Sequence, residues 1–370
     1  MTGAADRSWL RIVRGDLRRP TDRLAAAGLR ALSWGYGAAL RAHLGGYRLG
    51  LARRTRLPAM VVSIGNLTVG GTGKTTSCLA VACWLRDQGR RVAVLSRGYQ
   101  SLAEGKALVV STGEGPLTGV EAAGDEPYLM AQSLPGVSVL VGRDRRRTGA
   151  MAVDSLGADT IVLDDGFQYQ RLARDLDIVL VDALAPFGYD ALIPRGLLRE
   201  PVSHLARAHA IWLTHSDLVE PEARAAIRAR LRRAAPEARL WETVHAPVAL
   251  QRVGSEERLA PEALRGRTVC GLSGLGSPES FERSLVLLGA EVAAARFPDH
   301  HRYSPEEIRA VCRGEGEWIV TTRKDAARLP QEALTKPAWV LEIALAAGPG
   351  AATAPEEFGC LFGTTSAARP

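Results

Sequence analysis

The sequence predicts an α/β fold in two domains, and three observations carry that prediction. Short, β-branched, nearly uniformly apolar runs alternate with helix-like runs, as parallel strands covered on both faces by helices should. A glycine-rich run, GNLTVGGTGKTT over Gly65–Thr76, stands between one such strand and one such helix, the layout of a phosphate-binding loop. The composition shifts near residue 240, after which the alternation resumes on a smaller scale. Together they describe two α/β/α domains, preceded by an amphipathic N-terminal helix. The first is P-loop NTPase-like with a mostly parallel sheet, and the second is a smaller α/β unit.

Residues 1–56 read as a basic arm. Twelve arginines against Asp6, Asp16 and Asp22 give it a charge of +9, so with the whole chain at +7 the remainder is near −2. Leu29, Leu32, Tyr36, Leu40, Leu44, Tyr47 and Leu51 recur every three or four residues, one stripe of a helix, with Arg23, Arg30, Arg41 and Arg48 beside it. Such a stripe suits a membrane interface with snorkelling arginines, or the protein's own core, and the two readings stand side by side. It cannot span a bilayer: its longest charge-free run, Ala31–Leu40, has ten residues, against roughly 20 needed. Six glycines between Gly28 and Gly50 argue against one continuous helix.

Residues 57–246 read as the phosphate-loop domain. Its strands are Ala59–Ile64, Arg91–Ser96, Ser138–Val141, Thr160–Leu163, Asp177–Val181 and Ala210–Leu213. Its helices are Ser77–Leu85, Glu126–Leu134, Asp144–Leu156 and Glu220–Ala234. Leu240–Val253 resembles two extended segments broken by Pro247, a linker into the smaller domain at 247–345. There, strands Thr268–Leu272, Glu291–Phe297, Trp318–Thr322 and Trp339–Leu345 alternate with helices starting near Ser277 and Ser304. The tail, 346–370, is rich in Gly, Ala, Pro and Thr and is expected to be partly disordered.

Composition removes several function classes. Five cysteines form no CxxC pair, which argues for free thiols in a reducing compartment rather than a disulfide framework or zinc site. No secretory signal is evident near the N-terminus. Nucleic-acid binding is disfavoured, because positive charge is confined to the arm and aromatic residues make up only 5% of the chain.

Four constellations carry chemistry. In the glycine-rich run, Gly70, Gly71 and Gly73 let the backbone turn with N–H groups inward, and Thr72 and Thr76 complete the loop and the first helical turn. Lys74 places an ammonium on the β- and γ-phosphates, and Thr75 offers a hydroxyl to Mg²⁺. Second, the strand ending in Asp164-Asp165-Gly166 puts carboxylates near a metal or its water shell, or simply closes a turn. Third, Gly124-Asp125-Glu126-Pro127 opens a helix, so Asp125 is either an N-cap or a general base for an attacking hydroxyl. Fourth, Asp299, His300 and His301 in FPDHHRY stand at a strand end, suited to metal ligation or to sharing a proton with a carboxylate across a cleft. Arginines supply phosphate forks: Arg199, next to Glu200, is expected to face the site, while Arg146 and Arg147 of the Arg143–Arg147 run are expected on the surface.

Taken in order, GNLTVGGTGKT, SRGY, GDEP, DDGFQ, LLREP, FPDHHRY and TRKDA resemble the tetraacyldisaccharide 4'-kinase family, the lipid A 4'-kinases, over roughly Pro58–Leu345. The resemblance implies transfer of the γ-phosphate of ATP, with Mg²⁺, to the 4'-hydroxyl of an acylated glucosamine disaccharide 1-phosphate, giving lipid IVA. It implies Lys74 and Thr75 on phosphate and Mg²⁺, and Asp125 as base assisted by His300. It also implies Asp164 and Asp165 at the metal, with Arg145, Arg199 and Glu200 supporting phosphate and substrate. The arm looks like that family's membrane-associating segment, which implies peripheral attachment at the cytoplasmic face of the inner membrane; the chain is expected to be a monomer. Three positions depart from the family's usual pattern: Thr76 stands where proline is usual, Arg323 where Glu is usual, and Tyr169 where histidine is common. The rival reading is a GTPase or ATPase switch, since Thr214-His215-Ser216-Asp217 loosely matches a guanine-reading motif without its lysine.

Overall fold

The computed structural model describes residues 3–17, 19–98, 106–275, 278–299 and 301–363. Its strands are β1 Met60–Asn66, β2 Val92–Ser96, β3 Leu108–Ser111, β4 Ser138–Val141, β5 Thr160–Asp164, β6 Leu176–Asp182, β7 Ala210–Thr214, β8 Arg239–Arg252, β9 Arg258–Leu259, β10 Thr268–Ser273, β11 Glu291–Arg296, β12 Trp318–Thr321 and β13 Ala338–Ala347. Its α-helices are α1 Gly3–Arg14, α2 Pro20–Arg48, α3 Lys74–Asp87, α4 Val120–Ala123, α5 Asp125–Ser133, α6 Arg145–Leu156, α7 Pro221–Ala234, α8 Pro278–Leu287, α9 Pro305–Arg313, α10 Arg323–Ala326 and α11 Ala354–Phe362.

The strands join in the order β3-β4-β2-β5-β1-β6-β7-β8-β13-β12-β10-β11, with β9 added to β8. Pairing is parallel except at β3–β4, β8–β13 and β8–β9. The period-2 alternation of buried strands sorts side chains to the two faces. Val62, Val94 and Val162 pack with Cys78, Val81 and Leu85 of α3, while Val61, Ala93, Leu95 and Ile161 pack with Ala152 of α6. The smaller half repeats this: Val269 and Val320 meet Phe281 and Leu285 of α8, whereas Cys270, Leu272 and Ile319 meet Ile308 and Cys312 of α9. Local signals set the helix ends. Asp144 caps α6 by accepting from Arg146 N, Gly157 ends it in the left-handed region, and Ser304 with Glu307 forms a capping box at α9.

Three expectations change. The segment Leu240–Val253 is not two pieces but one strand, β8, which pairs with β7 through Arg239–Glu242 and with β13 through Thr243–Arg252. Pro247 is tolerated because it lies beside a register shift in the β8–β13 ladder, where a missing N–H costs no regular bond. The tail holds a helix: Thr353 and Glu356 form a capping box, and buried Phe358 stacks on Trp212 at 5.5 Å and meets Trp84 edge-on at 5.7 Å. Finally, α2 is one 29-residue helix despite its glycines. Asp22, Ala26, Ser33, Gly37 and Leu44 are buried on one face, and tertiary packing there outweighs the propensity cost.

That packing divides the stripe between the two readings. Leu44 is buried and Leu29, Tyr36, Leu40 and Tyr47 are half-buried, while Leu32 and Leu51 are exposed together with Leu24 and Trp34. The buried face grips the 188–199 loop: Ser33 Oγ donates to Leu192 O at 2.8 Å and accepts from Arg195 N, and Tyr36 OH donates to Arg199 O at 2.8 Å. Among the described residues no helix is long and apolar enough to cross a membrane.

Candidate active site

The loop after β1 is built by close approaches that only certain residues allow. Gly65 has no room for a side chain, since Phe167 Cβ lies 2.7 Å from where its Cβ would stand. This brings the DDGF turn against the start of the loop. Gly70 and Gly73 take φ of +116° and +80°, and Gly73 leads directly into α3, whose first turn carries Lys74, Thr75 and Thr76, all half-buried, and no acidic residue. At Gly70 and Gly71 the space a side chain would fill is open. The loop is tied on three sides. Asn66 Nδ2 donates to Thr72 Oγ1 at 2.8 Å, Thr214 Oγ1 donates to Thr72 O at 3.2 Å, and Val69 N donates to Leu197 O at 2.8 Å.

The two adjacent aspartates at the end of β5 have opposite environments. Asp164 is buried and accepts from Ser96 Oγ at 2.9 Å. Burial, reinforced by the charges of Glu126 and Asp165, pushes it up to about 7. Asp165 sits in the left-handed region, φ 50°, which turns its carboxylate toward Arg199 and Lys74. Arg199 forks onto it with bonds of 2.8 and 2.9 Å, and Lys74 Nζ lies 3.9 Å away. Burial opposes its ionisation, but the Arg199 bonds and the charges of Arg199, Lys74 and Arg145 hold it down at about 2. The same Arg199 fork reaches Asn66 through its backbone oxygen, at 3.1 Å, and its side-chain oxygen.

Asp125 is the first residue of α5, and the N-cap is Gly124 at φ +86°. The capping reading is therefore set aside, and the carboxylate, about one-fifth exposed, faces a cavity of about 320 Å³. Its neighbour Glu126 is close enough to raise Asp164, so the start of α5 stands beside the Lys74–Asp165 cluster. Arg145, buried at the start of α6, donates to Asp164 O at 3.4 Å and lies over the Tyr169 ring. Tyr169, the departure after DDGFQ, donates to Asp144 at 2.8 Å, and Asp144 pairs with Arg146. Arg147 is exposed.

Glu200 is engaged by its own chain neighbours. Its buried carboxylate takes bonds from His204 at 2.7 Å and Arg207 at 2.9 Å. In FPDHHRY, Asp299 pairs with Lys324 at 3.0 Å and His301 with Glu307 at 3.0 Å, while His300 lies outside the described residues, as does Tyr99 of SRGY. Among the described residues no group of His, Cys, Asp or Glu is arranged to hold a metal by itself. A divalent cation here fits only with nucleotide oxygens completing its shell around Thr75 and the Asp164–Asp165 pair, the usual manner of Mg²⁺ with phosphates.

One group at the loop has no sequence signal. His245 of β8 fills the space of a side chain at Gly73, its ring atoms 2.4 and 2.5 Å from that Cβ position. Its Nδ1 bonds His215 Nε2 at 2.7 Å, and His215 Nδ1 bonds Asp182 at 3.0 Å. Burial, and then the neighbouring His215, depress His245 to about 3 against the opposing pull of Asp182, so the ring is neutral. The end of β6, the residue after β7 and the middle of β8 supply this chain, and only the sheet order makes them neighbours.

A buried strand, a glycine loop opening a helix, and a carboxylate at the end of the adjacent parallel strand define a P-loop nucleotide-binding protein. The family model of tetraacyldisaccharide-1-P 4'-kinase (LpxK) matches residues 25–355. The tetraacyldisaccharide 4'-kinase of Anaeromyxobacter dehalogenans is 54% identical over 297 residues, covering 79% of this chain and 78% of that one. That of Syntrophus aciditrophicus is 40% identical, covering 81% and 83%. The structure of LpxK from Aquifex aeolicus in complex with ATP superposes with a TM-score of 0.73 at 31% identity, covering 91% of this chain and 98% of that one. The chain belongs to the tetraacyldisaccharide 4'-kinase family, a kinase family of lipid A biosynthesis, and the switch-protein reading falls away.

Proposed function

We propose that this chain transfers the γ-phosphoryl group of ATP to the 4'-hydroxyl of a tetraacyldisaccharide 1-phosphate, with Asp125 as the general base. The observation that carries this reading is the convergence of Lys74, Arg199 and Asp165 at the mouth of the glycine loop, with the start of α5 alongside. Backbone N–H groups of the loop and of the first turn of α3 cradle the phosphates, and Lys74 spans the β- and γ-phosphates. Arg199 is held rigid by Asp165 and Asn66, so its charge is preorganised for the transferring group. Mg²⁺, held by Thr75, Asp164 and Asp165 together with the nucleotide, would neutralise phosphate charge. A cation also suits Asp164, whose ionised form burial and two neighbouring carboxylates disfavour. Asp125, facing the cavity across the cleft, takes the proton of the sugar hydroxyl, and His300 assists it. Arg145 steadies Asp164 through its carbonyl, and Glu200 acts from behind by fixing His204 and Arg207 beside the Arg199 segment.

The lipid side of the reaction falls to the arm. The outer face of α2 presents Leu24, Leu32 and Trp34 to solvent among arginines, an apolar and basic surface that suits the anionic cytoplasmic leaflet of the inner membrane. A cavity of about 580 Å³ opens between α2 and the 188–195 loop, with Arg30, Trp34 and Arg195 on its walls. We read the chain as a monomer held peripherally there, reaching its substrate from the membrane side. The test is incubation with γ-labelled ATP, Mg²⁺ and the tetraacyl disaccharide 1-phosphate, with analysis of the lipid product. Label appearing in the lipid is expected. Label released only as inorganic phosphate, with or without lipid, would defeat the reading.

A further inference from the structure

We propose that Arg328 is a positioning residue for this reaction: with Arg323 it grips the two ends of α5 and holds the carboxylate of Asp125 aimed into the cleft. The inference rests on the reading of Asp125 as the base. The TRKDA motif has no part in the chemistry described above, yet it makes the contact between the second half of the sheet and α5. Arg323 Nη1 donates to Ser133 Oγ, the last residue of α5, at 2.8 Å, and Arg328 Nε lies 3.8 Å from Oδ2 of Asp125, the first. A nine-residue helix is about 13 Å long, so two arginines five positions apart span it end to end.

Arg328 is held in place by the second half alone. Asp325, fully buried, takes bonds from Tyr303 OH at 2.9 Å, Thr322 Oγ1 at 2.7 Å and Arg328 Nη2 at 3.3 Å. Arg328 also donates to the carbonyls of His301 at 2.9 Å and Lys324 at 3.3 Å. The FPDHHRY loop and the TRKDA segment are thus joined by the Tyr303–Asp325 bond, the Asp299–Lys324 pair and the Arg328 guanidinium, which then faces Asp125. Arg323, where the family pattern has Glu, adds a bond to Glu342 of β13, so this chain ties α5 to the second half of the sheet at both ends.

The electrostatic consequence has a definite sign. A guanidinium beside a carboxylate favours the ionised form, and only that form can accept a proton. Arg302 and Glu121 line the same cavity, and Glu126 and Asp325 stand near it, while position 300 lies outside the described residues. Arg328 is a cation in ion-pair range of Asp125.

The experiment compares full-length wild type with Arg328→Gln, Arg328→Lys, Asp125→Asn and the Asp125→Asn/Arg328→Gln double variant. It reads kcat, KM for ATP and the pH profile of kcat/KM. Arg328→Gln is expected to lower kcat on the order of 10²-fold, with KM for ATP changed by less than about twofold. Its acid limb should move to higher pH by about one unit. Arg328→Lys keeps the charge and serves if the Gln variant does not fold: its acid limb stays in place while kcat falls roughly fivefold through loss of the fork. In the Asp125→Asn background, Arg328→Gln should add less than about threefold, because its effect passes through Asp125. An unmoved acid limb with near-wild-type kcat in both Arg328 variants, or full additivity in the double variant, overturns the role of Arg328 while leaving the base in place. An Asp125→Asn enzyme of near-wild-type rate removes the base itself, and this inference with it.

Discussion

In the phosphate-loop half of the sheet, Asp165 has Lys74 at 3.9 Å and Arg199 at 2.8 Å, and the loop that bears Lys74 is bonded to β1, β7 and the Leu197–Arg199 segment. In the other half, side chains reach the site from one short helix and one loop, and the contact with α5 is made by two arginines. The first region is a preorganised receptor whose charges are set before any ligand arrives. The second is a docked platform whose motif residues mostly bind one another. The nucleotide site should therefore survive damage to the second half, whereas turnover should not.

Substitutions can break that contrast, and the largest effect is expected at the loop. Lys74→Ala removes the ammonium preorganised at the phosphates and should lower kcat/KM roughly 10²–10³-fold without changing the thermal midpoint. Unchanged steady-state kinetics would show that the loop half is not the receptor. Next comes the core beneath it. Phe358→Ala empties a site between Trp212, Trp241 and Trp84 and should destabilise the chain by about 3–5 kcal/mol in urea melts. A loss under 1 kcal/mol, on the order of a surface substitution, would mean that α11 is only loosely attached.

His245 sharpens the comparison because it links both regions through β8. Its folded pKa of about 3 lies below the ordinary value of 6.5, so between these pH values the unfolded chain binds a proton that the folded chain does not. Stability should therefore fall as pH drops from 6.5 toward 3, by at most about 1.4 kcal/mol for each pH unit. His245→Asn should flatten that slope, and an identical slope in the variant would show that the ring titrates freely. The smallest effect is expected on the arm. Leu24→Glu on the exposed face of α2 should weaken binding to anionic vesicles roughly 3–10-fold while turnover of detergent-dispersed substrate stays as it was. An equal loss of detergent-phase turnover would place Leu24 in the protein's core function instead.

How legible this was in the sequence depended on the range of the interaction. The glycine loop, the strand ending in Asp164 and Asp165, and most strands and helices could be read directly, because period-2 and period-3.6 apolar patterns and their caps are local. Helix α11 was missed although Thr353, Glu356 and Phe358 carry a capping box and an apolar stripe, since its stability comes from Trp212 and Trp84 far away in the chain. The continuity of β8 was missed because Pro247 reads as a breaker until the neighbouring ladder shows its register shift.

The amino-acid order by itself determined the phosphate loop, its lysine, the adjacent aspartates and the alternation that makes a parallel sheet. Each follows from residue chemistry or from spacing within a few turns of chain. Tertiary structure alone decided that Asp164 is pushed up while Asp165 is held down, that Glu200 is taken up by His204 and Arg207, that His245 backs Gly73, and that Arg328 meets Asp125. Those outcomes depend on which strand ends lie side by side and on how deeply each charge is withdrawn from water, and neither is encoded by neighbours in sequence.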